Sequence, residues 1–128
     1  MQFNYIANAS IPSVSGRTIP VIDPSDGQPF DELQRSNAHD IDTAVRAARQ
    51  CYEAVWSKLS AAERGRLLMK LSAKVAEHAD ELAALEQRDC GKPTKQARAD
   101  AVALVRYFEF YAGACDKLHG DTIPYLDG

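Results

Sequence analysis

The spacing of apolar residues changes at residue 37, and this change restricts the fold more than any other feature of the chain. Residues 1–36 are short β-prone pieces separated by turn residues, such as TIPVID followed by PSDGQP. From residue 37 the composition shifts to Ala, Leu, Glu, Arg and Lys, and apolar residues recur about every 3.6 positions. The sequence predicts an α+β chain: a small antiparallel β flap over 1–36, then a helical segment with four to five amphipathic helices over 37–128.

Capping residues mark the first helix boundaries. Asn37 is followed three residues later by Asp40, and Ser60 is followed by Glu63 at the same spacing. Both pairs have the pattern of a capping box, in which each partner bonds a free backbone N–H of the other. A break near His78 is predicted to separate the second helix from a third.

The stretch RDCGKPTK contains a cysteine that is either a nucleophile or the end of a helix. Gly91 supplies a left-handed residue and Pro93 prevents the helix from resuming, so CGKP is a stop signal. Cys90 then lies at a helix C-terminus, where the helix dipole disfavours a thiolate, and Lys92 offsets this only weakly. The pattern favours the helix end. Thr94 is predicted to cap the next helix.

The last helix is predicted to reach about residue 118. Its apolar residues follow one another at alternating spacings of four and three positions, and they form a seam that must pack against another surface. The seam comprises Leu104, Phe108, Tyr111, Cys115 and Leu118. The tail is predicted to run extended from Ile123 to Leu126 and to stop on a DG turn pair.

Size and charge exclude several classes of protein. The chain has 128 residues, which is one domain or part of one. Its formal charge of -3 gives no basic excess for a nucleic-acid backbone, so no nucleic-acid partner is expected. No apolar run approaches the roughly 20 residues of a membrane span, and the N-terminus has no signal-peptide pattern. Three widely spaced cysteines indicate reduced thiols, and a cytoplasmic location is expected.

The sequence carries no recognisable active-site motif. Its glycines form neither G-x-G-x-x-G nor a P-loop, and its three histidines lie far apart, with no zinc-site spacing. We therefore predict no catalytic and no cofactor-binding residue. One helix has basic residues at three- and four-residue spacing that form either a solvated surface or a ligand clamp: Arg64, Arg66, Lys70 and Lys74.

Several segments, in order, resemble the N-terminal part of the NAD(P)-dependent aldehyde dehydrogenase superfamily: VIDPSDGQPF, the ERGRLL spacing after Trp56, RDCGKP, and YAGACDKLHGDTIP. The resemblance implies a longer parent enzyme that oxidises an aldehyde to a carboxylate with NAD or NADP. In that family this segment forms a β flap and helices of the Rossmann-like cofactor domain, and the catalytic residues come later. The resemblance places Cys90 at a variable position of the helix end, so it is no nucleophile, and the 128 residues alone are expected to be inactive.

The resemblance also implies two weaker sites. Many members bind a monovalent cation at positions that match the Ile22 carbonyl and Asp89, although Asp89 is equally explained as an ordinary helix-end acid. The positions of Ala99, Ala103 and Arg106 match a stretch that borders the substrate tunnel, and small side chains there favour a bulky or aromatic aldehyde.

A second hypothesis comes from a different class of protein. A stand-alone helical module could use the seam of the last helix to bind a partner or a second copy. On either hypothesis, the apolar helix faces predict self-association, and a homo-oligomer is expected.

Overall fold

The computed structural model describes residues 1–124. It contains two hairpins followed by four α-helices, which confirms the predicted order of a β flap and a helical segment. The strands are β1 (Asn4–Ile6), β2 (Ala9–Ile11), β3 (Thr18–Ile22) and β4 (Pro29–Gln34). The helices are α1 (Ala38–Ala54), α2 (Ala61–Glu77), α3 (Ala79–Cys90) and α4 (Thr94–Ala114), with a short 3₁₀ turn at Trp56–Lys58 between α1 and α2.

The flap consists of two separate antiparallel pairs rather than one sheet. β1 pairs with β2, and β3 pairs with β4. The β1–β2 turn has two left-handed residues, Ala7 with φ 51° and Asn8 with φ 65°. Two adjacent positive φ angles are typical of the tight turn that matches strand twist.

Both predicted capping boxes are present. The Asn37 side chain accepts hydrogen bonds from the backbone of His39 and Asp40, and the Ser60 side chain accepts one from Glu63. The acidic partner of each box bonds back to the cap residue. The break at His78 is also observed, since α2 ends at Glu77 and α3 begins at Ala79.

The predicted boundaries of the last helix were wrong at both ends. Pro93 is the N-cap residue of α4, while the Thr94 hydroxyl donates to the Gln87 side chain at 2.9 Å instead of capping the helix. At the other end α4 stops at Ala114, where Lys117 Nζ donates to the Gly113 carbonyl at 2.7 Å. A lysine that satisfies a late carbonyl stabilises an earlier helix end. The tail predicted to run extended from Ile123 to Leu126 lies partly outside the described residues, which end at residue 124.

Small residues, not the predicted leucines and aromatics, form the buried contacts of α2, α3 and α4. Ala97 is fully buried, and the Ser72 hydroxyl donates to the Val105 carbonyl at 3.0 Å. The other buried positions of these helices are Gly65, Val75, Ala83, Ala101 and Ala112. Small side chains allow two helix backbones to approach closely, so the larger apolar side chains point elsewhere: Leu67, Leu71, Leu104 and Tyr111 are exposed.

The chain exposes far more surface than a closed domain of its mass. Its accessible surface is 10030 Å², whereas a compact monomer of 14.1 kDa has about 6,700 Å². The excess of about 3,300 Å² includes many large apolar side chains on all four helices. Among residues 1–124, no helix is both long and apolar enough to cross a membrane.

Candidate functional site

The C-terminal end of α3 meets the turn between β3 and β4. Gly91 adopts the left-handed conformation with φ 69°, and its N–H donates to the Gln87 carbonyl at 2.9 Å. A Cβ atom at Gly91 would lie 3.1 Å from Pro24 Cγ in the turn. The glycine predicted to stop the helix therefore also allows the flap to pack against it.

Asp23 organises the turn. Its carboxylate accepts hydrogen bonds from the Ser25 hydroxyl at 2.6 Å and from the Ser25 backbone N–H at 2.9 Å. These two bonds lower the pKa of Asp23, and the nearby Arg88 contributes in the same direction. The carboxylate is thus held ionised in a local turn, as is typical of aspartate at such positions.

Arg88 connects α3 to the flap through two contacts. Its Nε lies 3.6 Å from the Asp23 carboxylate, and its guanidinium carbon lies 4.3 Å from the centre of the Phe30 ring. The second contact is a cation–π interaction, which is worth about 0.5–1 kcal/mol at an exposed site. The two contacts orient β3 and β4 relative to the end of α3.

Lys92 connects α3 to α4. Its Nζ lies 2.5 Å from the Asp100 carboxylate and also contacts Glu86. The hydrogen bonds to Asp100 and then to Glu86 raise the pKa of Lys92, so the ammonium stays charged. This lysine has a structural role in the GKP segment and is not available as a base.

Cys90 lies where the sequence placed it, on the last turn of α3. It is exposed, and its Sγ donates to the Glu86 carbonyl of its own helix at 2.9 Å. A thiol at a helix C-terminus faces partial negative charge from the backbone carbonyls. The geometry thus favours a helix-end residue over a nucleophile.

The two residues predicted to bind a cation lie near the same junction. Asp89 is exposed and lines a cleft of about 570 Å³ together with Val21 and Phe30. Ile22, next to Val21, ends β3 at an irregularity in the strand pairing, but it does not line this cleft. No group of three or more His, Cys, Asp or Glu side chains suited to a metal occurs within residues 1–124. A cation here would need backbone oxygens, and the site stays a prediction.

Two of the three predicted tunnel residues share a cleft on α4. Ala103 and Arg106 line a cavity of about 530 Å³, which Ala99 does not line. Three aromatic residues also line this cavity: Tyr107, Phe110 and Tyr111. The sequence analysis placed Tyr111 in the apolar seam and missed the other two. These three residues follow Ala103 by four, seven and eight positions, which places them on one helix face. The predicted seam contains only one of the three, so this pattern was not recognised.

Comparison with known proteins assigns the family. The sequence profile of the aldehyde dehydrogenase family matches residues 11–128. The chain belongs to the aldehyde dehydrogenase family. It corresponds to the N-terminal part of the family's fold, as its sequence predicted.

Several relatives match almost all of this chain but only part of their own. Aldehyde dehydrogenase [NAD(P)+] 2 from Saccharomyces cerevisiae is 42% identical over 122 residues, which cover 94% of this chain and 24% of that protein. A crystal structure of a Burkholderia cenocepacia protein assigned as an aldehyde dehydrogenase is 59% identical, with a TM-score of 0.90 over 97% of this chain and 26% of the other. PnpE, solved in complex with nicotinamide adenine dinucleotide, is 39% identical with a TM-score of 0.88 over 100% of this chain and 26% of PnpE. The chain spans about a quarter of the length of these relatives.

The described residues do not fit a dinucleotide. A pyrophosphate binds where a glycine-rich loop meets a helix N-terminus, because free backbone N–H groups and the helix dipole favour negative charge there, and nearby carboxylates oppose it. The first turns of α1, α2 and α3 each carry acidic residues. The first turn of α4 has no acidic residue, and it follows Pro93. The nearby Lys92 already forms ion pairs with Glu86 and Asp100. Residues 1–124 therefore form no phosphate cradle.

Replacing Gly91 by alanine is expected to lower the free energy of unfolding by about 1–2 kcal/mol, because alanine disfavours positive φ and its Cβ would press on Pro24. The control is Gly27→Ala, at a similar φ of 71° but with nothing within 4 Å of the added Cβ. Urea denaturation at fixed protein concentration measures both variants. Equal losses would show that the contact with Pro24 contributes nothing.

Proposed function

We propose that this chain is the N-terminal portion of an NAD(P)-dependent enzyme that oxidises an aldehyde to a carboxylate. The observation that carries the proposal is the family match over residues 11–128, in a chain about a quarter as long as its relatives. The excess exposed surface supports it, since the helices present apolar faces that further polypeptide would cover.

In such an enzyme these residues act as a scaffold. NAD(P)+ would supply the hydride acceptor, bound by other parts of the protein. The contacts of Arg88 would fix the flap relative to α3, and those of Lys92 would fix α4 relative to α3. The flap and α4 would thereby position the further polypeptide that packs on them. The 128 residues alone are expected to be inactive, because they have no phosphate cradle and their helix-end Cys90 is not activated.

The two predicted sites belong to this proposal. The Ile22 carbonyl and Asp89 would contribute two oxygen ligands to a monovalent cation, and oxygen ligands suit a hard cation. Two ligands are too few to close the site, so further polypeptide would complete it. Ala99, Ala103 and Arg106 would border the substrate tunnel, where the small alanines leave room for a bulky or aromatic aldehyde.

The cellular setting is part of the same proposal. All three cysteines are unpaired, which fits a reducing compartment such as the cytoplasm. The apolar helix faces favour a homo-oligomer, with an aldehyde and NAD or NADP as the small-molecule partners. The net charge of -3 argues against a nucleic-acid partner.

The second candidate function is a stand-alone interaction module. The exposed aromatic residues of α4 favour it, because an isolated domain rarely leaves such a cluster uncovered without a partner. DNA sequence beyond the codon for Gly128 separates the two candidates. An open reading frame with further dehydrogenase sequence supports the enzyme, and a stop codon supports the module.

A cofactor-binding measurement tests the scaffold role directly. The 128-residue chain is expected to show no aldehyde-dependent reduction of NAD(P)+ and no saturable binding of NAD+ by calorimetry. The full gene product, if longer, is expected to show both. Micromolar binding of NAD+ by the 128-residue chain would contradict the scaffold role, because the cofactor site would then lie within it.

A further inference from the structure

Arg88 joins the two segments that carry the predicted cation ligands. Asp23 follows Ile22 directly in the chain, and Asp89 follows Arg88 on the last turn of α3. Arg88 Nε lies 3.6 Å from Asp23 Oδ2, so this one contact brings both ligand residues to the same junction. The distance between the two ligands therefore depends on where Arg88 holds the flap.

The Ile22 carbonyl has a fixed direction. The Asp23 N–H belongs to the same peptide unit, and it donates to the Gln28 carbonyl at 2.9 Å. This peptide bond is trans, so its C=O and N–H point in opposite directions. The Ile22 oxygen thus points away from the turn that leads into β4. Among the described residues no strand pairs with β3 on that side, so strand pairing does not use this oxygen.

Asp89 faces the flap from the other side of the junction. It lines the cleft of about 570 Å³ together with Val21, which precedes Ile22 in β3. The charges of Arg88 and Asp23 cancel, so the Asp89 carboxylate leaves one negative charge there, which attracts a cation. A carboxylate oxygen and a carbonyl oxygen are ligands that suit a hard cation. The two predicted ligands therefore fit a monovalent cation.

Two contacts hold the guanidinium of Arg88. Asp23 contacts its Nε, and the centre of the Phe30 ring on β4 lies 4.3 Å from its central carbon. Asp23 is itself held by the Ser25 hydroxyl at 2.6 Å and the Ser25 N–H at 2.9 Å. A planar guanidinium combines ion pairing and stacking in a fixed geometry, whereas a lysine ammonium is a point charge on a flexible stem. Arg88 therefore holds β3 and β4 against α3 in one orientation.

We propose that Arg88 is a positioning residue for the cation site. It sets the spacing between the Ile22 carbonyl and the Asp89 carboxylate without binding the cation itself. The inference rests on the cation site of the proposed function and adds the residue that holds the two ligands together. All of its contacts lie within the described residues, so the role of Arg88 does not depend on where the full gene product ends.

Cation-dependent thermal stability of the full gene product tests this role. Tm is measured against KCl and against NaCl, with choline chloride keeping the ionic strength constant, and the rise in Tm gives an apparent Kd. Arg88→Lys keeps the charge but loses the planar contacts. Its apparent Kd for K+ is expected to rise about 10-fold, as for other residues that orient metal ligands.

A second variant and a control accompany Arg88→Lys. Phe30→Leu leaves every charge in place and is expected to raise the apparent Kd in the same direction, and it replaces Arg88→Lys if that variant unfolds. The matched control is Arg98→Lys, because Arg98 also joins α4 to α3 through an ion pair, to Asp80 at 2.7 Å. This control is expected to keep the wild-type Kd for K+.

The ratio of the K+ and Na+ affinities separates positioning from a general loss of stability. The two ions differ in radius, so the spacing of the ligands decides which ion fits better. The ratio is expected to shift several-fold in Arg88→Lys and to stay constant in Arg98→Lys. A wild-type Kd and ratio in Arg88→Lys, or an equal effect of Arg98→Lys, would overturn the proposal.

The cation measurement and the cofactor measurement can fail separately. If neither K+ nor Na+ raises the Tm of the wild-type protein in a saturable way, the cation site and the role of Arg88 are both ruled out, while NAD(P)+ reduction still decides the enzyme. If K+ binds but no aldehyde reduces NAD(P)+, the proposed enzyme is ruled out and the role of Arg88 is retained.

Discussion

Replacing Gly65 by alanine is expected to lower the free energy of unfolding by about 2 kcal/mol, although alanine is the better helix former by about 1 kcal/mol. The reason is the crossing of α2 and α4. A Cβ atom at Gly65 would lie 2.6 Å from the Ala112 carbonyl oxygen, which is part of the helix backbone and cannot rotate away. Overpacking of this kind costs about 1–3 kcal/mol or more, so the clash exceeds the gain in helix propensity.

Gly113 provides the matched control, because it lies in α4 with nothing within 4 Å of an added Cβ. Gly113→Ala is expected to raise the free energy of unfolding by up to about 1 kcal/mol, and Gly65→Val to lower it further than Gly65→Ala. Urea denaturation followed by circular dichroism measures all three, at one protein concentration because self-association shifts the apparent stability. If Gly65→Ala were as stable as Gly113→Ala, the backbones would not be in contact.

The second large effect is expected at Asp40, which is only 6% exposed. Its carboxylate accepts hydrogen bonds from the Ser13 hydroxyl at 2.6 Å, the Asn37 N–H at 2.9 Å and the Val14 N–H at 3.2 Å. It thus ties the loop before β3 to the start of α1. Asp40→Ala leaves three donors without an acceptor and is expected to lower Tm by roughly 5–10 °C.

The control for Asp40 is Asp42→Ala, which removes an exposed acidic residue from the same helix. Asp42 is exposed, and its replacement is expected to shift Tm by less than about 2 °C. Thermal melts of both variants at neutral pH measure the difference. Similar shifts for the two would mean that the loss at Asp40 is an effect of helix charge rather than of the buried hydrogen bonds.

The same carboxylate predicts how stability depends on pH. The Ser13 hydroxyl, followed by the Asn37 N–H, lowers the pKa of Asp40. Since the folded pKa lies below the unfolded value of about 3.9, the contribution of Asp40 is fully present above that value and is lost as the pH falls through the folded pKa. The Tm difference between the wild-type chain and Asp40→Asn is therefore expected to be constant above about pH 5 and to narrow below about pH 4. A constant difference down to about pH 2 would contradict this assignment.

Local signals in the sequence predicted the ends of most elements. Asn37, Ser60 and Gly91 each act through backbone groups within three or four residues, so a short stretch contains all the atoms that decide the outcome. The boundaries of α4 were predicted less well, because Thr94 bonds the Gln87 side chain in α3 and Lys117 satisfies a carbonyl from beyond the helix. Both contacts depend on how the helices and the tail are arranged in space.

Contacts between distant segments could not be predicted from the residues alone. The predicted seam of large apolar side chains favoured Leu104 and Tyr111 as packed positions, but the buried positions of α2, α3 and α4 are glycine, alanine, serine and one valine, Val75. The hydrogen bond between Ser13 and Asp40 joins residues 27 positions apart. The residues next to either one in the sequence do not indicate that the two side chains meet. The family resemblance placed Ala103 and Arg106 at the cavity on α4, but Tyr107 and Phe110 were missed because neither belongs to the predicted seam.

The contact of α2 with α4 has a consequence for any molecule that binds the outer surface of α4. The two helices cross with Gly65 against the Ala112 backbone carbonyl, and the Ser72 hydroxyl bonds the Val105 carbonyl, so the close approach of the two backbones holds the angle between the helices. A binding partner therefore meets a helix whose backbone is already ordered. The entropy lost on association is then limited to a few side chains, at about 0.5–1.5 kcal/mol for each one immobilised, and preorganisation of this kind raises affinity without adding a contact.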